Sequence, residues 1–70
     1  MNKLSSLWLS LSAAAEHLDC SKDTILRRAV PWEDAHVARM IRFKYLKLGQ
    51  NTRMERRYYV PDLDELLVNQ

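Results

Sequence analysis

Cysteine and glycine each occur once in these 70 residues, and proline twice. The lone thiol, Cys20, closes no internal disulfide, and no C-x-x-C pair is present to nucleate a structural zinc site. One unpaired cysteine fits a reducing cytoplasm better than a secreted scaffold. No apolar run approaches the ~20 residues of a membrane span. The start, Leu4 to Leu11 followed by Ala13-Ala14-Ala15, superficially resembles a secretory signal. Ser5, Ser6, Ser10 and Ser12 dilute it, however, and cleavage there would destroy the best helix in the chain, so it reads as part of the domain. A glycine-rich phosphate loop, a carboxylate dyad and a serine-nucleophile motif are also missing, so neither catalysis nor a cofactor is expected. A chain this short buries only about 60% of the surface its unfolded form exposes. Its stability must come from a tight helix and strand arrangement, from self-association or from a bound partner.

Charge is present but unevenly placed. The formal net charge of +2 conceals three blocks. Residues 1–38 set Lys3, Lys22, Arg27 and Arg28 against Glu16, Asp19, Asp23, Glu33 and Asp34, a net −1. Residues 39–57 set Arg39, Arg42, Lys44, Lys47, Arg53, Arg56 and Arg57 against Glu55 alone, a net +6. Asp62, Asp64 and Glu65 then give −3. A block of this kind is expected to focus potential on one face and to favour a polyanion there; a solvated, salt-bridged surface is the plainer alternative.

Periodicity supplies the elements. Leu11, Ala14, Ala15 and Leu18 follow the i, i+3, i+4, i+7 spacing of one helical face, with Ser10 ahead of them as N-cap. Asp19 tolerates the left-handed conformation and can end this helix. Ser21 caps a second helix predicted to run to about Val30, where Pro31 discourages continuation. Two short helices joined so closely make a helix-turn-helix candidate. In the second, Ile25 and Ala29 share one stripe, while Lys22, Asp23, Leu26 and Arg27 share another.

Ile41-Arg42-Phe43-Lys44-Tyr45 alternates with the period of a half-buried strand, and Arg56-Arg57-Tyr58-Tyr59-Val60 is rich in strand formers. With turn residues Gly49-Gln50-Asn51-Thr52 between them, they read as a basic hairpin, a "wing". A helix over 33–48 is the rival, since Val37, Met40, Ile41, Tyr45 and Leu48 also fit helical spacing. Pro61-Asp62-Leu63-Asp64-Glu65-Leu66-Leu67 reads as a short closing helix, with proline and acids suited to its first turn. Leu63, Leu66 and Leu67 are predicted to return to the core. The fold class is therefore α+β, mainly α, a single domain of two short helices, a basic hairpin and a closing helix.

The stretch from Leu9 to Arg28, with its alanine-rich first helix and Ser21-Lys22-Asp23-Thr24-Ile25 opening the second, resembles excisionase-type, MerR-like winged helix-turn-helix proteins. The ending Arg56 to Leu67 is similar to the second wing strand and closing helix of that family. Three features depart from the pattern: Asp19 replaces a common turn glycine, Arg28 stands where a bulky apolar residue is usual, and residues 31–40 lengthen the link to the wing. The resemblance implies a short strand before the first helix and DNA binding beside a recombination site, coating or bending the duplex as cooperative multimers. An integrase or recombinase partner goes with that role, in a bacterial or phage-infected cytoplasm. It also implies that Asp23 and Arg27 face the major groove and that the wing lies along a minor groove or the phosphate backbone. A small phage or plasmid transcriptional regulator is the nearest alternative. A protein–protein adaptor using an amphipathic helix over 37–48 is the alternative from another class.

The candidate residues follow from this. Arg27 can fork onto guanine O6 and N7, and Asp23 can accept from a cytosine amine or orient Arg27. Ser21, Lys22, Thr24 and Arg28 complete the recognition-helix set, with Ser21 and Lys22 where a helix N-terminus can hold a phosphate. Arg42, Lys44, Lys47, Asn51, Arg53, Arg56 and Arg57 are the wing and backbone set. If about five of these neutralise phosphates, log affinity falls with log salt at a slope of roughly −4 to −5. Trp8, Trp32, Phe43, Tyr45, Tyr58 and Tyr59 are assigned to core and hinge packing. His17 and Cys20 read as a surface imidazole and a small buried thiol, since zinc takes four ligands that this chain does not supply.

Overall fold

A computed structural model describes residues 7–34, 37–47 and 54–67. Among them the elements run β1 (Trp8–Leu9), α1 (Leu11–Leu18), α2 (Lys22–Arg27), β2 (Ala29–Pro31), β3 (Ile41–Lys47), β4 (Met54–Tyr59) and α3 (Val60–Asp64). The domain is α+β but not mainly α: helices of 8, 6 and 5 residues are matched by strands of 2, 3, 7 and 6.

Local chemistry sets the first two helices. The Ser10 hydroxyl accepts from the Ala13 N–H at 3.2 Å, and the Ser21 hydroxyl accepts from the Thr24 N–H at 3.2 Å, each satisfying a donor that the helix leaves orphaned. Asp19 ends α1 in the left-handed region at φ 52°, ψ 51°, and the Cys20 N–H turns back onto the Ala15 carbonyl at 2.9 Å. Ala14 and Ala15 are buried, and their small side chains let neighbouring elements close on α1.

The second helix is shorter than its sequence predicts. It stops at Arg27 with Arg28 as C-cap, and Ala29–Pro31 leave as a strand paired parallel to Ile41–Phe43. β-branched Val30 and the restriction that Pro31 puts on it favour extended backbone, and the sheet supplies the hydrogen bonds that another helical turn would have made. Residues 41–47 are likewise a strand, which overturns the rival helix over 33–48 and, with it, the amphipathic helix over 37–48 of the adaptor alternative. Their apolar residues fit both periods, and antiparallel pairing with β4 decides between them.

The sheet order is β1-β4-β3-β2, with β1 antiparallel to β4 as the other edge. One sheet face carries Leu9, Ile41, Phe43 and Tyr58 onto Ala14, Ala15, Ile25 and Leu63 of the three helices. Tyr58, Ile25, Ile41 and Leu63 are fully buried, each contributing roughly 1.5–3 kcal/mol by removal from water. Leu66 packs at the margin of this core, but Leu67, predicted to join it, is 55% exposed because α3 has ended by then. The turn at Gly49-Gln50-Asn51-Thr52 lies outside the described residues.

Candidate nucleic-acid interface

Helix α2 turns Ile25 into the core and leaves Lys22, Asp23, Leu26 and Arg27 exposed. Arg27 Nε lies 2.8 Å from Asp23 Oδ2, with side-chain exposures of 79% and 66%. Asp23 therefore orients, through Nε, the arginine one helical turn away. Ser21 and Thr24 are more engaged than a reading role requires, their hydroxyls being 3.0 Å apart in the cap. Arg28 is half-buried and donates from Nη1 to the Arg39 carbonyl at 3.2 Å, fixing a loop in which Arg39 takes φ 70°.

The basic segment is not one surface. The charge count leads to the expectation of one positive face; strand pairing distributes the cations over two. Tyr45 lies opposite Arg56 and Lys47 opposite Met54, on the sheet face that carries Phe43 and Tyr58 to the helices. Lys44 lies opposite Arg57, and with Arg42 they occupy the other, open face. The cause is strand alternation: even-numbered cations on β3, and adjacent Arg56 and Arg57 on β4, must separate. Asn51 and Arg53 lie outside the described residues.

The open-face cations are committed internally. Arg42 donates from Nε to Asp62 Oδ2 at 2.9 Å and from Nη2 to Oδ1 at 3.2 Å, and its backbone N–H reaches Oδ2 at 3.0 Å. This bond to Asp62 holds its guanidinium pKa above the ordinary arginine value. The same guanidinium sits 4.4 Å from the Trp32 ring centre and 5.4 Å from that of Tyr59. Lys44 Nζ lies 5.0 Å from Trp32 and 5.4 Å from Trp8. Arg57 donates to Glu55 at 3.3 Å and to the Arg56 carbonyl at 3.0 Å. Arg42 as a phosphate contact is thus replaced by Arg42 as a tie between β3 and α3.

Two parts of this arrangement escaped the sequence. Asp62 is 3% exposed and reads in sequence as a first-turn acid only. Trp8, Trp32 and Tyr59 meet with ring centres 5.0–5.3 Å apart on the open face, away from the main core. The alternating pattern Arg42-Phe43-Lys44 beside Arg57-Tyr58-Tyr59 was the available signal for a second face, but not for its occupants.

On the helix side, Arg56 is braced over the Phe43 ring at 4.1 Å. The Tyr58 hydroxyl is buried without a hydrogen bond of good geometry, and the Arg56 guanidinium is its electrostatic partner. Attraction to the Tyr58 oxygen first, and to Tyr45 as well, raises the Arg56 pKa against the lowering effect of burial. Leu26 of α2 and Glu55, Arg56, Arg57 and Tyr58 of β4 line one groove of about 340 Å³ with Ser10, Leu11 and Ser12. Leu26 of α2 and Arg56 of the hairpin therefore border a common cleft. His17 bonds Asp64 at 2.6 Å and Cys20 is half-buried at the core margin; among the described residues no group of three or more metal-type side chains gathers.

No family model, no curated protein and no solved structure matches this chain. Among the described residues no helix is long and apolar enough to cross a membrane.

Proposed function

We propose that this chain binds double-stranded DNA as a winged helix-turn-helix module of the excisionase kind. Helix α2 enters the major groove while the helix side of the hairpin meets the adjacent backbone. The observation that supports the reading is the cleft between α2 and the hairpin: Leu26, the neighbour of the exposed Arg27, lines it from α2 and Arg56 lines it from β4. Its role is binding without chemistry of its own, in a cytoplasm, beside an integrase or recombinase. So small a contact area per copy favours several protomers side by side on the duplex.

Selection of duplexes from a random pool, followed by anisotropy titrations over a range of salt, tests this. Lys22, Lys47 and Arg56 are the cations best placed for phosphates, so the slope of log affinity against log salt is expected near ~−3, shallower than the basic count suggests. Loss of selected-duplex binding in a paired Lys47→Ala/Arg56→Ala variant, with folding intact, supports the reading. Unchanged binding in that variant and in Arg27→Ala refutes it.

A further inference from the structure

We infer that Arg39 holds a backbone phosphate of the duplex at the C-terminal end of α2. This rests on the DNA-binding reading above and adds to it a contact outside both α2 and the hairpin, in the link between β2 and β3.

The link is tied to the helix at that point. The Met40 N–H turns back to the Val37 carbonyl at 3.0 Å, closing a turn over residues 37–40. Arg28, the C-cap of α2, grips the far side of this turn twice. Its Nη1 donates to the Arg39 carbonyl at 3.2 Å, and its own carbonyl accepts from the Ile41 N–H at 2.8 Å. Met40 lines a groove of about 400 Å³ with Thr24, Arg27 and Arg28, and Arg39 lines the neighbouring groove that Thr24 and Arg28 also border. The turn therefore stands beside the last turn of the helix that carries Arg27.

Local preference does not explain the residue at the third place of this turn. Arg39 has φ 70°, in the left-handed region, where a four-residue turn ordinarily takes glycine or asparagine. A β-carbon costs free energy there, and arginine lacks the short polar side chain with which asparagine offsets it. Such a conformation persists where surrounding bonds over-determine it, as the two from Arg28 do. What arginine supplies at this place is an exposed cation.

Charge identifies what meets it. The carbonyl end of a helix repels an anion, so a phosphate beside the end of α2 needs cations to reverse the sign. Arg27, Arg28 and Arg39 stand around that end; Asp23 engages Arg27, and Glu65 lines the same groove as Arg39. Arg28 is half-buried and spent on the turn, whereas Arg39 is exposed. The major groove is only roughly 12 Å wide, so a helix seated in it stands near phosphates on either side. A guanidinium fork matches two oxygens of one phosphate. The competing role for Arg39 is to complement the dipole of α2 without touching DNA.

Arg39→Gly separates the two roles. Glycine suits the left-handed turn and removes the guanidinium, so the melting temperature should hold or rise while duplex affinity falls. Arg39 adds a fourth phosphate to the three cations counted above, and its loss should make the salt slope shallower by about 0.9, equally on a selected duplex and an unrelated one. Arg39→Lys, which keeps the charge, should keep the slope. An unchanged slope in Arg39→Gly, with wild-type binding present, overturns the contact and leaves DNA binding standing. A loss confined to the selected duplex overturns it too, since Arg39 then reads a base. Should Arg39→Gly fail to fold, Arg39→Gln, which keeps a polar stem without the charge, carries the same comparison. Failure of the wild-type chain to bind any duplex overturns both readings.

Discussion

The two faces of the hairpin carry the same kinds of residue to different ends. On the open face Arg42, Lys44 and Arg57 are taken up by Asp62, by the Trp8–Trp32–Tyr59 cluster and by Glu55. On the helix side Lys47 is exposed and Arg56, though braced on Phe43, borders a groove. One set holds the sheet to α3 and to itself; of the other, Lys47 is exposed and Arg56 lines a groove beside α2. The difference teaches that a basic segment measures a nucleic-acid surface only after its internal partners have been counted.

The strongest way to break this comparison is Asp62→Ala. It removes the acceptor of Arg42 from a site where the carboxylate is 3% exposed, and loss of one partner of a buried pair costs about 3 kcal/mol or more. Against a total of roughly 0.05–0.15 kcal/mol per residue, that is much of the stability of so small a domain. Urea denaturation measures it, and an unmoved midpoint would show that the tie to α3 holds nothing. Next in size is Arg27→Ala, expected to lose about 1–3 kcal/mol of preference at a single guanine, read by competition among selected duplexes. Arg27→Lys should not restore it, because an ammonium lacks the planar fork.

A finer test sets neighbours on β4 against each other. Arg56→Ala is expected to reduce the salt slope by about 0.9, while Arg57→Ala, on the other face, leaves it unchanged. Equal effects would erase the distinction between faces. The smallest expected effect is that of Lys44→Ala: about 0.5 kcal/mol of stability from its contacts with two tryptophans, seen in a thermal melt, and no change in duplex affinity.

Legibility in the sequence followed distance along the chain. Ser10 and Ser21 as caps, Asp19 as a left-handed stop and Ala14 and Ala15 as a close-packing surface all depend on groups within one or two turns. The hairpin was legible from alternation, though that same alternation also implied the two-faced distribution of its cations, which the charge count concealed. At the candidate site the Asp23–Arg27 pair was legible because i, i+4 is a sequence spacing. The internal partners of Arg28 and Arg42 were not legible, because Arg39 and Asp62 stand 11 and 20 residues away.

By itself the sequence determined the helix starts, the turn between the first two helices and the strand period of the basic segment, since short-range sterics and hydrogen bonding decide these. Tertiary structure alone decided that Ala29–Pro31 leave the helix for the sheet, that Trp8, Trp32 and Tyr59 meet, and which cations are consumed. Those outcomes depend on pairing between distant strands: a ladder partner can outweigh local preference, and a carboxylate buried beside one arginine takes it away from the solvent face.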